Sequence, residues 1–202
     1  MDADFSIELG RDDPVLDLPW TDPAGKVAYL NLKRRPELMA RIEEAERFPE
    51  LGEFLRAMNW ARSMVETAKC DAWATRELSA EEEIYDATHK FASYVDVVFS
   101  EIDVRLSSSR QSLSRQSLSA HEQFARNLVE LLRREPEVSS SAEVCVRRCY
   151  YGEEGGVREG FYCTLYVSGY GKDCASARQN WGAGLKLVEN AIMQLSAGEV
   201  GY

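Results

Sequence analysis

Hydrophobic residues recur along this chain at two different periods, and the switch between them marks its elements. Toward the C-terminus Trp181, Leu185, Val188, Ile192 and Leu195 follow at steps of four, three, four and three, the spacing of one helix face. Asp173 stands where the N-cap of that helix is expected. Phe124, Leu128, Leu131 and Leu132 predict another helix, opened by a Ser119/Glu122 capping box and closed at Pro136. Leu51, Phe54, Leu55, Met58, Ala61 and Val65 predict a third, restarted by Pro49 after a shorter helix that begins at Pro36.

Elsewhere the period is two. From Lys90 to Ser100, Phe91, Val95, Val97 and Phe99 fall on one side, and Tyr94, Asp96 and Val98 on the other. Residues 70–77, 144–151 and 161–168 alternate in the same way. The last two predict a hairpin whose loop holds Gly152, Gly155, Gly156 and Gly160. Residues 27–33 predict a short strand after the turn Asp22-Pro23-Ala24-Gly25, and Ser79 with Glu82 predicts a helical turn between two strands. Gly169 and Gly171 read as a turn at a strand end, since their spacing does not make a dinucleotide fingerprint.

These elements repeat. A Ser-rich stretch at 107–118, with a tandem Arg-Gln-Ser-Leu-Ser, reads as a linker between two helix–strand–strand units at about 49–100 and 119–195. Phe54 and Phe124, Phe91 and Phe161, and Val95 and Leu165 correspond at an offset of 70, while the first strands correspond at 74 (Cys70 and Val144). A lone unit would expose an apolar sheet face and two edges. The expected fold is therefore α+β: a two-layer sandwich, with an antiparallel sheet of four or more strands, helices on one face, and duplicated αββ units. Residues 26–202 form one such domain, preceded by an acidic arm at 1–25.

In this arrangement Phe91, Val95, Val97, Phe99, Phe161, Cys163, Leu165 and Val167 lie under the helices. The opposite face carries Trp73, Tyr94, Asp96, Arg147, Tyr162 and Tyr166, together with Thr75, Val98, Cys149, Tyr151 and Thr164. Aromatics with polar tips aligned along strands exceed what a solvated face needs. Three coverings compete: the N-terminal segment with Leu16, Leu18 and Trp20, a second copy in a homodimer, or a ligand in a concavity between the repeats.

Charge narrows the partners. Among 202 residues, 24 Lys and Arg stand against 34 Asp and Glu, a net −10, and residues 1–25 hold seven acidic residues against Arg11 alone. That excludes nucleic acid and anionic membrane as natural partners. No apolar run approaches the ~20 residues of a membrane span. Five cysteines behind an acidic N-terminus without a leader pattern point to reduced thiols in the cytoplasm.

Candidate chemistry is sparse. His89 and His121 lie in different elements, and Cys145 and Cys149 are four apart on one strand, about 13 Å at ~3.3 Å per residue, so neither a metal nor a cofactor is expected. No Gly-x-Ser-x-Gly elbow occurs. Asp71 and Asp96, in neighbouring strands beside Trp73 and Tyr94, are the candidate general bases. The reading that results is a non-enzymatic cytoplasmic protein that binds a small molecule or a protein through Trp73, Tyr94, Asp96, Arg147, Tyr162 and Tyr166. The alternatives are an enzyme using Asp71 or Asp96 as base, and an acidic inhibitor that docks residues 1–25 on a basic partner.

Overall fold

The computed structural model describes residues 1–100, 114–153 and 155–198. Its order is β1 (Asp2–Glu8), β2 (Leu16–Leu18), a 3-10 turn (Pro36–Arg41), α1 (Glu43–Arg47), α2 (Pro49–Met58), β3 (Val65–Thr75), a second 3-10 turn (Ala80–Tyr85), β4 (His89–Phe99), α3 (Leu118–Arg134), β5 (Ser140–Glu153), β6 (Gly156–Gly171) and α4 (Cys174–Ala197). The fold is α+β, and the strands form one six-stranded sheet in the order β1-β5-β6-β4-β3, with β2 also on β5.

β3, β4, β6 and β5 pair antiparallel, but the sheet is mixed, because β1 and β2 both run parallel to β5. Residues 1–25, expected as an arm, thus contribute two strands. Asp2, Asp4, Ser6 and Glu8 alternate with Ala3, Phe5 and Ile7, so the acids occupy one side of a strand whose other side is apolar. Ala3 is buried and Phe5 packs on the core. The alternation that builds β1 had been masked by its charge.

The main core fills the space between the sheet and α2, α3 and α4. Trp181 of α4 is fully buried, its Nε1 donating to Ser93 Oγ at 2.8 Å, with its ring against Phe91 and Phe48. The Asp173 cap forms as expected, accepting from Ser176 N. Gly169 is no turn: it lies inside β6, where an added Cβ would stand 2.0 Å from Trp181 N. Glycine at that position lets α4 rest directly on the strand.

The hairpin β5–β6 is also tighter than expected. Gly152, Gly156 and Gly160 belong to its strands, and the ladder runs to Glu153 opposite Gly156. Gly160 is needed because Arg115 O and the Tyr151 ring both approach within 2.6 Å of where its Cβ would sit. Much of the expected linker lies outside the described residues. At its described end Arg115 O accepts from Phe161 N, Arg115 Nε donates to Phe99 O, and Ser117, not Ser119, caps α3 by accepting from Ala120 N. The turn after Ser79 forms as expected, with Ser79 N donating to a Glu82 carboxylate.

Residues 27–33 do not form the expected strand; a single bridge, Thr21 with Ala28, is all the pairing they make. Side chains take its place along the free edge of β3. Lys33 Nζ donates to Ser63 O and Val65 O, Trp20 Nε1 donates to Ala68 O, and Asn59 Oδ1 accepts from Thr67 N. Groups that would otherwise invite another strand are thus occupied.

Candidate functional site

Strand alternation assembles the open face from four strands. Tyr94 pairs directly with Tyr166, Asp96 with Thr164, and Arg147 with Tyr162, while β3 sets Lys69 beside Asp96 and Asp71 beside Tyr94. Side chains on paired positions are close enough to interact. Trp73, Tyr94 and Tyr166 accordingly form a ladder, with centroids 6.4 Å apart at each step.

Beneath the ladder runs a chain of polar contacts. Thr164 Oγ1 donates to Asp96 Oδ1 at 2.7 Å. Arg147 Nη1 donates to Thr164 Oγ1 and to Tyr166 Oη, each at 3.0 Å, and its Nε and Nη2 hold Glu8 Oε2 at 2.8 and 2.6 Å. Asp96, Arg147 and Thr164 are buried. Burial pushes the Asp96 carboxyl up to about 6, against the Thr164 hydroxyl and the positive charges of Lys69 and Arg147, which favour ionisation. Burial, with Asp96 next, raises the Tyr94 hydroxyl far out of its usual range and takes that of Tyr162 to about 12.

Two segments border this face. Leu16 and Leu18 of β2, with Trp20 and Tyr29 at their side, pack on Ala68, Val98, Cys149, Tyr151 and Tyr162 as a second, smaller core. At the other end Tyr85 stacks on Tyr170 at 4.0 Å. Tyr162 is therefore sealed beneath the N-terminal segment, whereas Tyr94 and Tyr166 stay half-buried and Trp73 is 39% exposed.

Concavities flank the covering segment on both sides. One, of about 570 Å³, is walled by Tyr29, Lys33, Glu66, Val98, Arg115 and Tyr151 among others. The other, of about 690 Å³, reaches from Tyr94, Asp71 and Trp20 around the edge of β3 to Leu55, Ile42 and Glu44. Both fall in the size range of small-molecule sites.

Of the residues singled out by sequence, the structure brings Trp73, Tyr94, Asp96, Arg147 and Tyr166 into one contiguous patch and places Tyr162 behind it. Asp71 is exposed, its Oδ1 accepting from Ala72 N. Glu8 and Lys69 complete the patch without having been singled out. Glu8 reaches Arg147 across a sequence separation of 139, which no local pattern announces.

His121 is buried against Phe99, with burial lowering its pKa to about 4, so the ring is neutral. Ligand atoms of Glu8, Glu143 and Cys145 lie within 4.8 Å of one another. A cation there would have to draw Glu8 from Arg147 and ionise a thiol that burial pushes up to about 12. All five cysteines are unpaired, and no helix among the described residues is long and apolar enough to cross a membrane. Comparison with known proteins finds no family model, no curated protein and no solved structure that matches this chain.

Proposed function

We propose that the protein binds a small molecule on the open face of its sheet, over Trp73, Tyr94 and Tyr166, without transforming it. The observation that carries this reading is a half-exposed aromatic ladder over a buried polar chain, Asp96–Thr164–Arg147, tied to the half-buried Glu8 and covered by no helix among the described residues. A solvated face has no use for a buried carboxylate, which costs free energy on ionising. A binding surface does, since a fixed acceptor and a fixed guanidinium orient a ligand that the aromatics hold.

The same site supports the reading that the chain arose by duplication of an αββ unit. Val95 and Leu165, which correspond at the offset of 70, are direct partners across the β4–β6 ladder, and Ser93–Val167 mirrors Val97–Cys163 about them. In that reading the Tyr94–Tyr166 pair and the Asp96–Thr164 pair lie on either side of a pseudo-twofold axis through Val95 and Leu165, and the site is the seam between the repeats.

A second reading has one specific observation in its favour. A carboxyl near 6 is poised to accept a proton at neutral pH, so Asp96 would act as general base, with Arg147 orienting the substrate. One experiment separates the two. A fragment library is screened against the full chain by NMR shift perturbation, and hits are repeated on Tyr94→Ala, Tyr166→Ala and Asp96→Asn. Binding lost in the tyrosine variants, with the ligand recovered unchanged, is the result expected. Hits that bind both tyrosine variants as well as wild type would refute the face, and turnover abolished by Asp96→Asn would move the assignment to the enzyme.

A further inference from the structure

We propose that the trough around the edge of β3 takes an aliphatic diamine or polyamine. The trough shares Tyr94 with the open-face site above and continues from it around the edge of β3; the inference rests on that small-molecule reading and names a ligand class for this continuation. Its apolar lining includes Leu16, Trp20, Leu30, Leu32, Leu55 and Ala68. Its charged lining is Asp17, Asp22, Asp71 and Glu44 against Arg41 and Lys69, an excess of two negative charges.

The acids are divided between the two sides of the sheet. Asp71 projects to the open face beside Tyr94, while Glu44 belongs to α1 on the helix side. Cys70 lines the trough beside Asp71, and its thiol is raised to about 12 by burial first and then by Glu44, Asp71 and Asp96. Neither Asp17 nor Glu44 has an ion-pair partner among the described residues.

An anion would meet repulsion along this lining, and a neutral chain would leave its excess negative charge unbalanced. A flexible alkyl chain carrying ammonium groups answers both the apolar and the acidic parts of the lining. The aromatic wall is suited to such a group: the Lys69 ammonium, itself an alkylammonium, lies 5.7 Å from the Trp20 ring centroid.

The test is calorimetric titration of the full chain with spermidine in about 150 mM NaCl, where the Debye length is about 8 Å and long-range attraction is screened. A single saturable site is expected. The double variant Glu44→Gln/Asp71→Asn should weaken it by about tenfold. A double variant of equal charge outside the trough, Glu81→Gln/Glu130→Gln, should leave it unchanged; both pairs replace exposed or half-exposed residues with isosteres, and circular dichroism verifies folding. Absence of saturable binding, or equal weakening by the two double variants, would overturn the proposal, the latter by showing attraction to the net charge alone. If spermidine fails while neutral or anionic fragments bind in a Tyr94-dependent manner, the polyamine class falls and the small-molecule reading stands. If neither binds, both fall.

Discussion

Replacing Asp96 by Asn should make the protein more stable, and only above acid pH. Asp96 is 6% exposed, and its carboxyl is raised from 3.8 to about 6, chiefly by burial. Because the folded value exceeds the unfolded one, the native state binds the proton more tightly. The contribution of this group to stability is therefore complete below the unfolded value and lost as pH rises through about 6. A displacement of that size corresponds to about 2–3 kcal/mol of cost carried by the ionised group at neutral pH. Asn keeps the shape and an oxygen that can accept from Thr164 Oγ1 and carries no charge at any pH. Arg147 retains Glu8, Thr164 and Tyr166. Urea unfolding of both proteins at about pH 3.5, 5 and 7.5 should show no difference at the first value, a partial one at the second and about 2–3 kcal/mol in favour of Asn at the third, a rise in Tm of about 4–12 °C. Other carboxylates titrate alike in both proteins and cancel. A variant less stable than wild type at pH 7.5 would refute the reasoning, because it would mean that Lys69 and Arg147 stabilise the ionised form more than burial penalises it. A difference independent of pH would refute it as well.

Three further outcomes test the packing. Gly169→Ala drives a methyl into the α4 backbone at Trp181 and should destabilise by about 3 kcal/mol or more, read by thermal unfolding; an unperturbed Tm would disprove the close approach. Native protein should show one fast thiol toward a disulfide reagent, the exposed Cys174, while the buried Cys145, Cys149 and Cys163 react only after denaturation; rapid modification of any buried thiol would contradict the site's burial. Lys33→Met leaves Ser63 O and Val65 O without their ammonium donor and should cost about 1–3 kcal/mol. Limited proteolysis should then cut between residues 19 and 33 faster than in wild type, and an unchanged cleavage rate would show that the clamp does not hold that segment.

Elements whose signal is local were legible in the sequence. The step pattern of α4, its Asp173 cap, the turn after Ser79 and the alternation of β4 each depend on neighbours within a few residues, and each is realised. The two faces of the inner strands were legible for the same reason, because alternation assigns a face once strand identity is known. Hence Tyr94, Asp96, Arg147 and Tyr166 emerge on the face the sequence assigns them. Residues 27–33 alternate equally well yet join no strand beyond the Thr21–Ala28 bridge, because side chains of Trp20, Lys33 and Asn59 already occupy Ala68 O, Val65 O and Thr67 N along the β3 edge.

Alternation, charge and helical period thus sufficed for the α+β class, the central antiparallel strands and the makeup of the open face. Which of its residues lie open, and which are sealed, depended on contacts between segments far apart in the chain. β1 pairs with β5 across some 139 residues and delivers Glu8 to Arg147; β2 and Trp20 seal Tyr162 but leave Tyr94 and Tyr166 half-open. Such pairings are chosen by the competition among all available edges and apolar faces at once, and no window of local sequence contains that competition.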